Sequence, residues 1–226
     1  METAIILQAR LGSKRFPGKV LKKINGKTIL EYTIKRLKKT KLSKNIIVAT
    51  TKREEDQKII KVAKKTNCHT FRGSTNNVLN RYYKAAVYYK VKNIVRVCSD
   101  CPLIDPKIIN KVYFFYLKNN YDYVSNKIFP SYPIGMGVEI LNFKSLKKAN
   151  KLTKNSYDKE HVTAYIYKRP KKFKIKNVGL KKKLLNYRIV LDYIEDFKLI
   201  SNILKHFNKQ RKDFTLKDII KYINNI

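Results

Sequence analysis

Four cations and two glycines crowd into the twelve residues QARLGSKRFPGK, Gln8 to Lys19, directly after the apolar run AIIL. A loop carrying Arg10, Lys14, Arg15 and Lys19 at the carboxyl end of a first strand suits a polyphosphate. Where Gly12 and Gly18 allow positive φ, backbone N–H groups can turn toward the anion while the cations neutralise it. Asp100, in CSDCPLID, closes a second apolar run, NIVRVCS, and Pro102 stops that run beside it. Asp192 closes a third, RIVLD, just before YIEDFKLI. A carboxylate opposite a polyphosphate needs a cation between them, and Mg²⁺ prefers carboxylate together with phosphate oxygens. Asp100 and Asp192 with the basic loop therefore suggest metal-assisted phosphoryl or nucleotidyl transfer. Without the ion the two carboxylates should repel, and one of them should hold a raised pKa. Asp105, before Pro106, suits a helix cap, and Glu195 and Asp196 suit a first helical turn.

The elements that must position these residues alternate between short β-branched runs and helical runs of period 3.6, the pattern of an α/β protein with a mostly parallel sheet. AIILQA, NIIVATT, TFRG and NIVRVCSD read as the first four strands, and the last, being continuously apolar, as a central one. Between them lie helical patterns over TILEYTIKRLKKT, EEDQKIIKVAKK and NNVLNRYYKAAVYYK. Further on, PKIINKVYFFYLKNN, FKSLKKANKLT and DKEHVTAYIYK predict helices, YDYVSN, GVEILNF, FKIKNVG and YRIVLD predict strands, and two helices close the chain. The whole chain, 1–226, is expected to form a single domain, with 121–183 a candidate sugar-binding or dimerisation lobe.

At 226 residues with 43% apolar and 12% aromatic content, the chain is long and apolar enough to fold around a full core despite a formal charge of +36. That charge invites a nucleic-acid function. Lys is nevertheless spread along nearly every segment and accompanies abundant Asn, Ile and Tyr with no Trp, as A+T-rich coding produces. A solvated basic surface is therefore the expectation, and specific nucleic-acid binding is not. Three cysteines give no disulfide framework, and Cys98 and Cys101 form a CxxC with no second Cys/His pair at matching spacing. No signal peptide and no apolar run near the ~20 residues of a membrane span is seen, so the expected compartment is the cytoplasm.

Five blocks taken in order make the chain resemble the spore coat polysaccharide cytidylyltransferases, relatives of the CMP-KDO and CMP-sialate synthetases: QARLGSKRFPGKVL, VATT, FRGSTNNVLNRYYKAA, DCPLIDP, and KEHVTAYIY with RIVLDYIEDFKLI. The resemblance implies a Rossmann-like, three-layer α/β/α nucleotidyltransferase, usually a homodimer, that joins CTP to a sugar acid and releases pyrophosphate. It implies that Gln8, Arg10, Gly12, Ser13, Arg15 and Lys19 hold the triphosphate, with Gly73 and Ser74 against cytosine and ribose. Arg15, Lys19 and Asp100 are the implied catalytic groups, and Asp100 and Asp192 the magnesium ligands. Glu139, Glu160 and His161 fall where sugar-facing residues are expected. Asn80 stands where such proteins more often carry Asp, and Gly137 replaces an acidic residue commonly found before Val-Glu, which puts the sugar in question. The alternatives are transfer using another base or acceptor, and a catalytically lapsed nucleotide-binding or basic nucleic-acid-binding protein.

Overall fold

A computed structural model describes residues 1–211 and 213–226. The first run becomes β1 (Thr3–Gln8), followed by the basic loop and a short hairpin of β2 (Lys23–Ile24) and β3 (Lys27–Thr28). The hairpin turns on Asn25 and Gly26, both at positive φ, as a two-residue loop requires. Then come α1 (Ile29–Leu37), β4 (Ile46–Thr51), α2 (Gln57–Lys65), β5 (His69–Gly73), α3 (Val78–Tyr88) and β6 (Asn93–Cys98). The second half contributes α4 (Pro106–Leu117), β7 (Tyr123–Ser125), β8 (Glu139–Asn142), α5 (Phe143–Leu152), α6 (Ser156–Glu160), α7 (Ala164–Tyr167), β9 (Ile175–Asn177), α8 (Ile194–Lys209) and α9 (Leu216–Asn224).

The helices start where the side chains can satisfy unpaired amides. Thr28 and Glu31 close a reciprocal box at α1, at 2.7 and 3.1 Å. Asp105 caps α4 through the Lys107 amide, with Pro106 in the first turn, and its other oxygen accepts from the Leu216 amide at 2.7 Å. One carboxylate thus anchors two helices.

The sheet runs β5-β4-β1-β6-β8-β7-β9, with β6 at its centre as its continuous apolarity predicts. β8 is antiparallel to both neighbours, and the other pairings are parallel. Segment 121–183 supplies β7, β8 and β9 to this same sheet. Alternate residues of β1 enter two cores: Ile5 and Leu7 pack with α1, α4 and α8, and Ala4 and Ile6 with α3 and α5. The result is the three-layer α/β/α arrangement of a Rossmann-like fold.

Two elements differ from the sequence expectation. RIVLD is not a strand of the sheet: it is an extended segment making a single bridge, Arg188 to Ile134, although Ile189, Val190 and Leu191 are buried. Burial makes such a run apolar whether or not it joins a ladder. The helix expected over DKEHVTAYIYK is broken into α6 and α7 by Val162, which adopts φ 54.

Candidate active site

β1, β4, β5 and β6 are parallel, so their carboxyl ends share one rim, and the strand order turns back between β1 and β6, where open α/β sheets form their ligand crevice. The basic loop lies at this point. It folds around the Leu11 carbonyl, which accepts from the Ser13 amide at 2.7 Å and the Gly18 amide at 3.0 Å. Gly18 takes φ 67, whereas Gly12 does not have positive φ. Asp56, fully buried, pins the loop from beneath by accepting from the Leu11 amide at 2.8 Å and from the Thr51 hydroxyl. Replacing Asp56 with alanine orphans the Leu11 amide and the Thr51 hydroxyl. The expected cost is about 2–3 kcal/mol, read as a lower Tm, with a raised KM for the nucleotide.

The loop cations do not form a single cluster. Lys19, at 8% exposure, turns inward, and its Nζ donates to Asp100 Oδ2 at 3.2 Å, Asp192 Oδ1 at 3.0 Å and the Leu191 carbonyl at 2.5 Å. Arg15 reaches Asp192 at 2.8 Å and lies over the Tyr193 ring, Arg10 pairs with Glu160 at 3.3 Å, and Lys14 is exposed. Gln8 accepts from Arg96 at 3.2 Å. The Ser13 and Ser74 hydroxyls accept from the Phe16 and Asn77 amides, shaping the turns they sit in.

Asp100 and Asp192 do meet, by a route the sequence does not announce. The Leu191 amide donates to the Asp100 carbonyl and the Ile189 amide to the Ile134 carbonyl, both at 2.8 Å. Gly135, at φ 111, permits this docking, since a Cβ there would lie 2.5 Å from the Ile189 carbonyl oxygen. Their carboxylates converge on one ammonium. Arg188 completes the surround of Asp192 at 3.2 Å and is itself held by Asp196 at 3.0 Å. Asp196 also accepts from the Asp192 and Tyr193 amides at the start of α8. The expected repulsion is absent: burial disfavours ionised Asp192, but Lys19, Arg15 and Arg188 outweigh it and hold its pKa below the ordinary value.

The remaining expected residues lie on or beside β5, α3, α6 and β8. Gly73 has no room for a side chain, because a Cβ would lie 2.9 Å from Arg81 Cγ. Arg81 is itself buried and donates to the Ser74 carbonyl at 3.1 Å. Asn80 bonds Asn150 of α5 at 3.3 Å. His161 ends α6, exposed, with its ring 4.2 Å from that of Tyr157. Burial lowers the His161 pKa, and Arg96 and Lys127 lower it further against the opposing charge of Glu160. Glu139 is buried between Arg96 and Lys127 and does not open on the crevice. Burial raises the Cys98 and Cys101 pKa values, so neither thiol is activated. Asp56, Arg81, Lys127 and Arg188 escape a sequence reading. Only Arg188 carries a hint, four residues before Asp192.

A two-carboxylate rim facing a basic loop can hold a polyphosphate and a divalent cation. An ammonium seated on both carboxylates shows that their oxygens can share one cation, so the donor set fits magnesium. Among the described residues no group of three or more His, Cys, Asp or Glu could hold a metal by itself, so water and phosphate oxygens would complete the shell.

Known proteins share this chain's sequence and fold. A solved cytidylyltransferase from Leptospira borgpetersenii superposes with a TM-score of 0.94 at 33% identity, covering 100% of this chain and 94% of that one. An uncharacterized protein of Methanocaldococcus jannaschii is 40% identical, over 97% of this chain and 89% of its own length. The spore coat polysaccharide biosynthesis protein SpsF of Bacillus subtilis is 28% identical, over 97% and 92%. The family model for cytidylyltransferases matches residues 4–220, and the chain belongs to that family.

Proposed function

We propose that this chain transfers CMP from CTP to the anomeric hydroxyl of a sugar acid, releasing pyrophosphate, in the assembly of a surface polysaccharide. The observation that carries the reading is the convergence of Lys19, Asp100 and Asp192 beneath the basic loop. The name of the Bacillus subtilis relative supports the polysaccharide, and the sequence resemblance supports the sugar acid.

In this reading the loop amides and Arg10 bind the triphosphate, and Gly73 with Ser74 receives cytosine and ribose. The hydroxyl attacks the α-phosphorus in line, so charge grows on the departing pyrophosphate. Arg15, exposed and paired with Asp192 before the nucleotide arrives, follows that charge, and Lys19 lies at its base. Asp100 and Asp192 would hold magnesium, which when bound neutralises phosphate charge and lowers the pKa of the attacking hydroxyl. No covalent protein nucleophile is required. Phe129, Ile134 and Leu185 are exposed on segments that hydrogen-bond one another, 129–134 and 180–187, which supports a homodimer. No helix among the described residues is long and apolar enough to cross a membrane, and we place the protein in the cytoplasm.

The test is pyrophosphate release with each of the four nucleoside triphosphates, Mg²⁺ and a panel of octulosonic and nonulosonic acids, neutral sugars and sugar phosphates. CTP with one of the acids is expected to give the fastest release. Faster release with another triphosphate would overturn the base, and turnover only with neutral or phosphorylated sugars would overturn the acceptor.

A further inference from the structure

Glu139 receives four donors, one from each of four residues. Tyr123 Oη at 2.7 Å and Thr163 Oγ1 occupy Oε1, and Arg96 with Lys127 occupies Oε2, the latter at 3.5 Å. At 3% exposure it has no lone pair left for a substrate. Arg96 is out of reach as well: it is 7% exposed, with one Nη on Glu139, the other on Gln8 and its Nε buried without a partner. Lys127 differs. Its side chain is 51% exposed, and an ammonium has three donors, of which Glu139 takes one.

The topology sets Lys127 on the rim of the crevice. β8 is antiparallel to both β6 and β7, so β7 runs with β6, and Ser125, Glu139 and Arg96 stand at matched levels. Lys127 follows β7 by two residues, as Asp100 follows β6. The Lys127 stem crosses Gly137, where a Cβ would lie 2.6 Å from Lys127 Cδ. An acidic residue at 137 would collide with that stem and draw the ammonium out of the crevice. Arg96 and Lys127 against Glu139 leave one positive charge in excess, which matches a monoanion.

We propose that Lys127 is the specificity-determining residue that receives the carboxylate of the acceptor, with Glu139 as its positioning residue and Gly137 as the gap that admits its stem. This rests on the sugar-acid reading above. Glu139 orients the ammonium and keeps it cationic. Two of its three donors are left over from Glu139, and a carboxylate can accept both.

The experiment is calorimetric titration of the protein, preloaded with Mg²⁺ and a non-hydrolysable CTP analogue, with 3-deoxy-manno-octulosonate, N-acetylneuraminate and their carboxamides. For an acid that binds wild type, Lys127→Met should weaken binding about tenfold or more, leave CTP-analogue affinity within about twofold, and erase the preference for acid over carboxamide. Lys127→Arg should restore part of that preference. Gly137→Ala, which adds no functional group, should reproduce the loss by displacing the stem. Equal acid binding by wild type and Lys127→Met would overturn the role of Lys127 and leave the sugar-acid reading intact. CTP-analogue binding by wild type with neither acid bound would overturn the acceptor class, and this inference with it.

Discussion

Asp192→Asn is expected to cut turnover by about 10³-fold at saturating CTP and Mg²⁺, the loss of roughly 4 kcal/mol of transition-state stabilisation. The same substitution should destabilise the protein. Asp192 is the counter-charge for Lys19, Arg15 and Arg188 together, and the amide would leave three cations facing one another. Arg15 and Arg188 are largely solvated, so the cost comes chiefly from the buried Lys19 and amounts to about 1–3 kcal/mol. Asp100→Asn should lose turnover to a similar degree with a smaller fall in Tm, because of the three cations only Lys19 bonds Asp100. The pH dependence follows from the lowered Asp192 pKa. Its stabilisation is complete above the unfolded carboxylate value of about 3.9 and is lost as pH falls through the lower folded value. The gap between wild type and Asp192→Asn in urea titrations from pH 7 to pH 3 should therefore begin to narrow once the pH falls below about 3.9. A gap that stayed constant would place the effect elsewhere.

How these residues come together was only partly legible in the sequence. The basic loop and Asp100 could be read because the strand before each is local, and a carboxyl strand end fixes its neighbours within a few residues. Asp192 was read as a metal-site carboxylate, but through a strand that does not form. What brings it to Asp100 is a hydrogen bond from the Leu191 amide and a glycine at 135, both long-range and without periodic signal. The expected repulsion fails for the same reason, since the cations that cancel it come from segments near residues 15, 19 and 188.

Glu139 illustrates a second limit. Its place in GVEILNF marks it as an inward residue of a strand, but whether an inward carboxylate meets substrate or cations depends on what the neighbouring strands carry. Arg96 lies opposite it on β6, and Tyr123 stands two residues along on β7. Thr163 reaches it because the chain breaks at Val162 instead of continuing as one helix. Caps and turns, by contrast, were local: Asp105 and Asp196 do at α4 and α8 what their positions predict.

Lys19→Met tests whether the ammonium serves the carboxylates or the nucleotide. In the structure it holds Asp100, Asp192 and the Leu191 carbonyl together, so a divalent ion arriving alone must compete with a charge already in place. Counting Arg15, and Arg188 with its partner Asp196, the rim carries three positive charges against three negative ones, so its carboxylates are already neutralised and offer little to a further cation until phosphate oxygens arrive. Wild type is therefore expected to bind Mn²⁺, followed by electron paramagnetic resonance, weakly without nucleotide and much more tightly with CTP. Lys19→Met should bind nucleotide-free Mn²⁺ about tenfold or more tightly than wild type, because two carboxylates then lack their buried partner. Turnover should nonetheless fall by about 10²–10³-fold, since the ammonium that would meet the growing charge on pyrophosphate is gone. Tighter metal with slower chemistry separates this arrangement from a lysine that merely supports the fold, whose loss would weaken both. Unchanged nucleotide-free Mn²⁺ affinity in Lys19→Met would show that the ammonium does not guard the carboxylates.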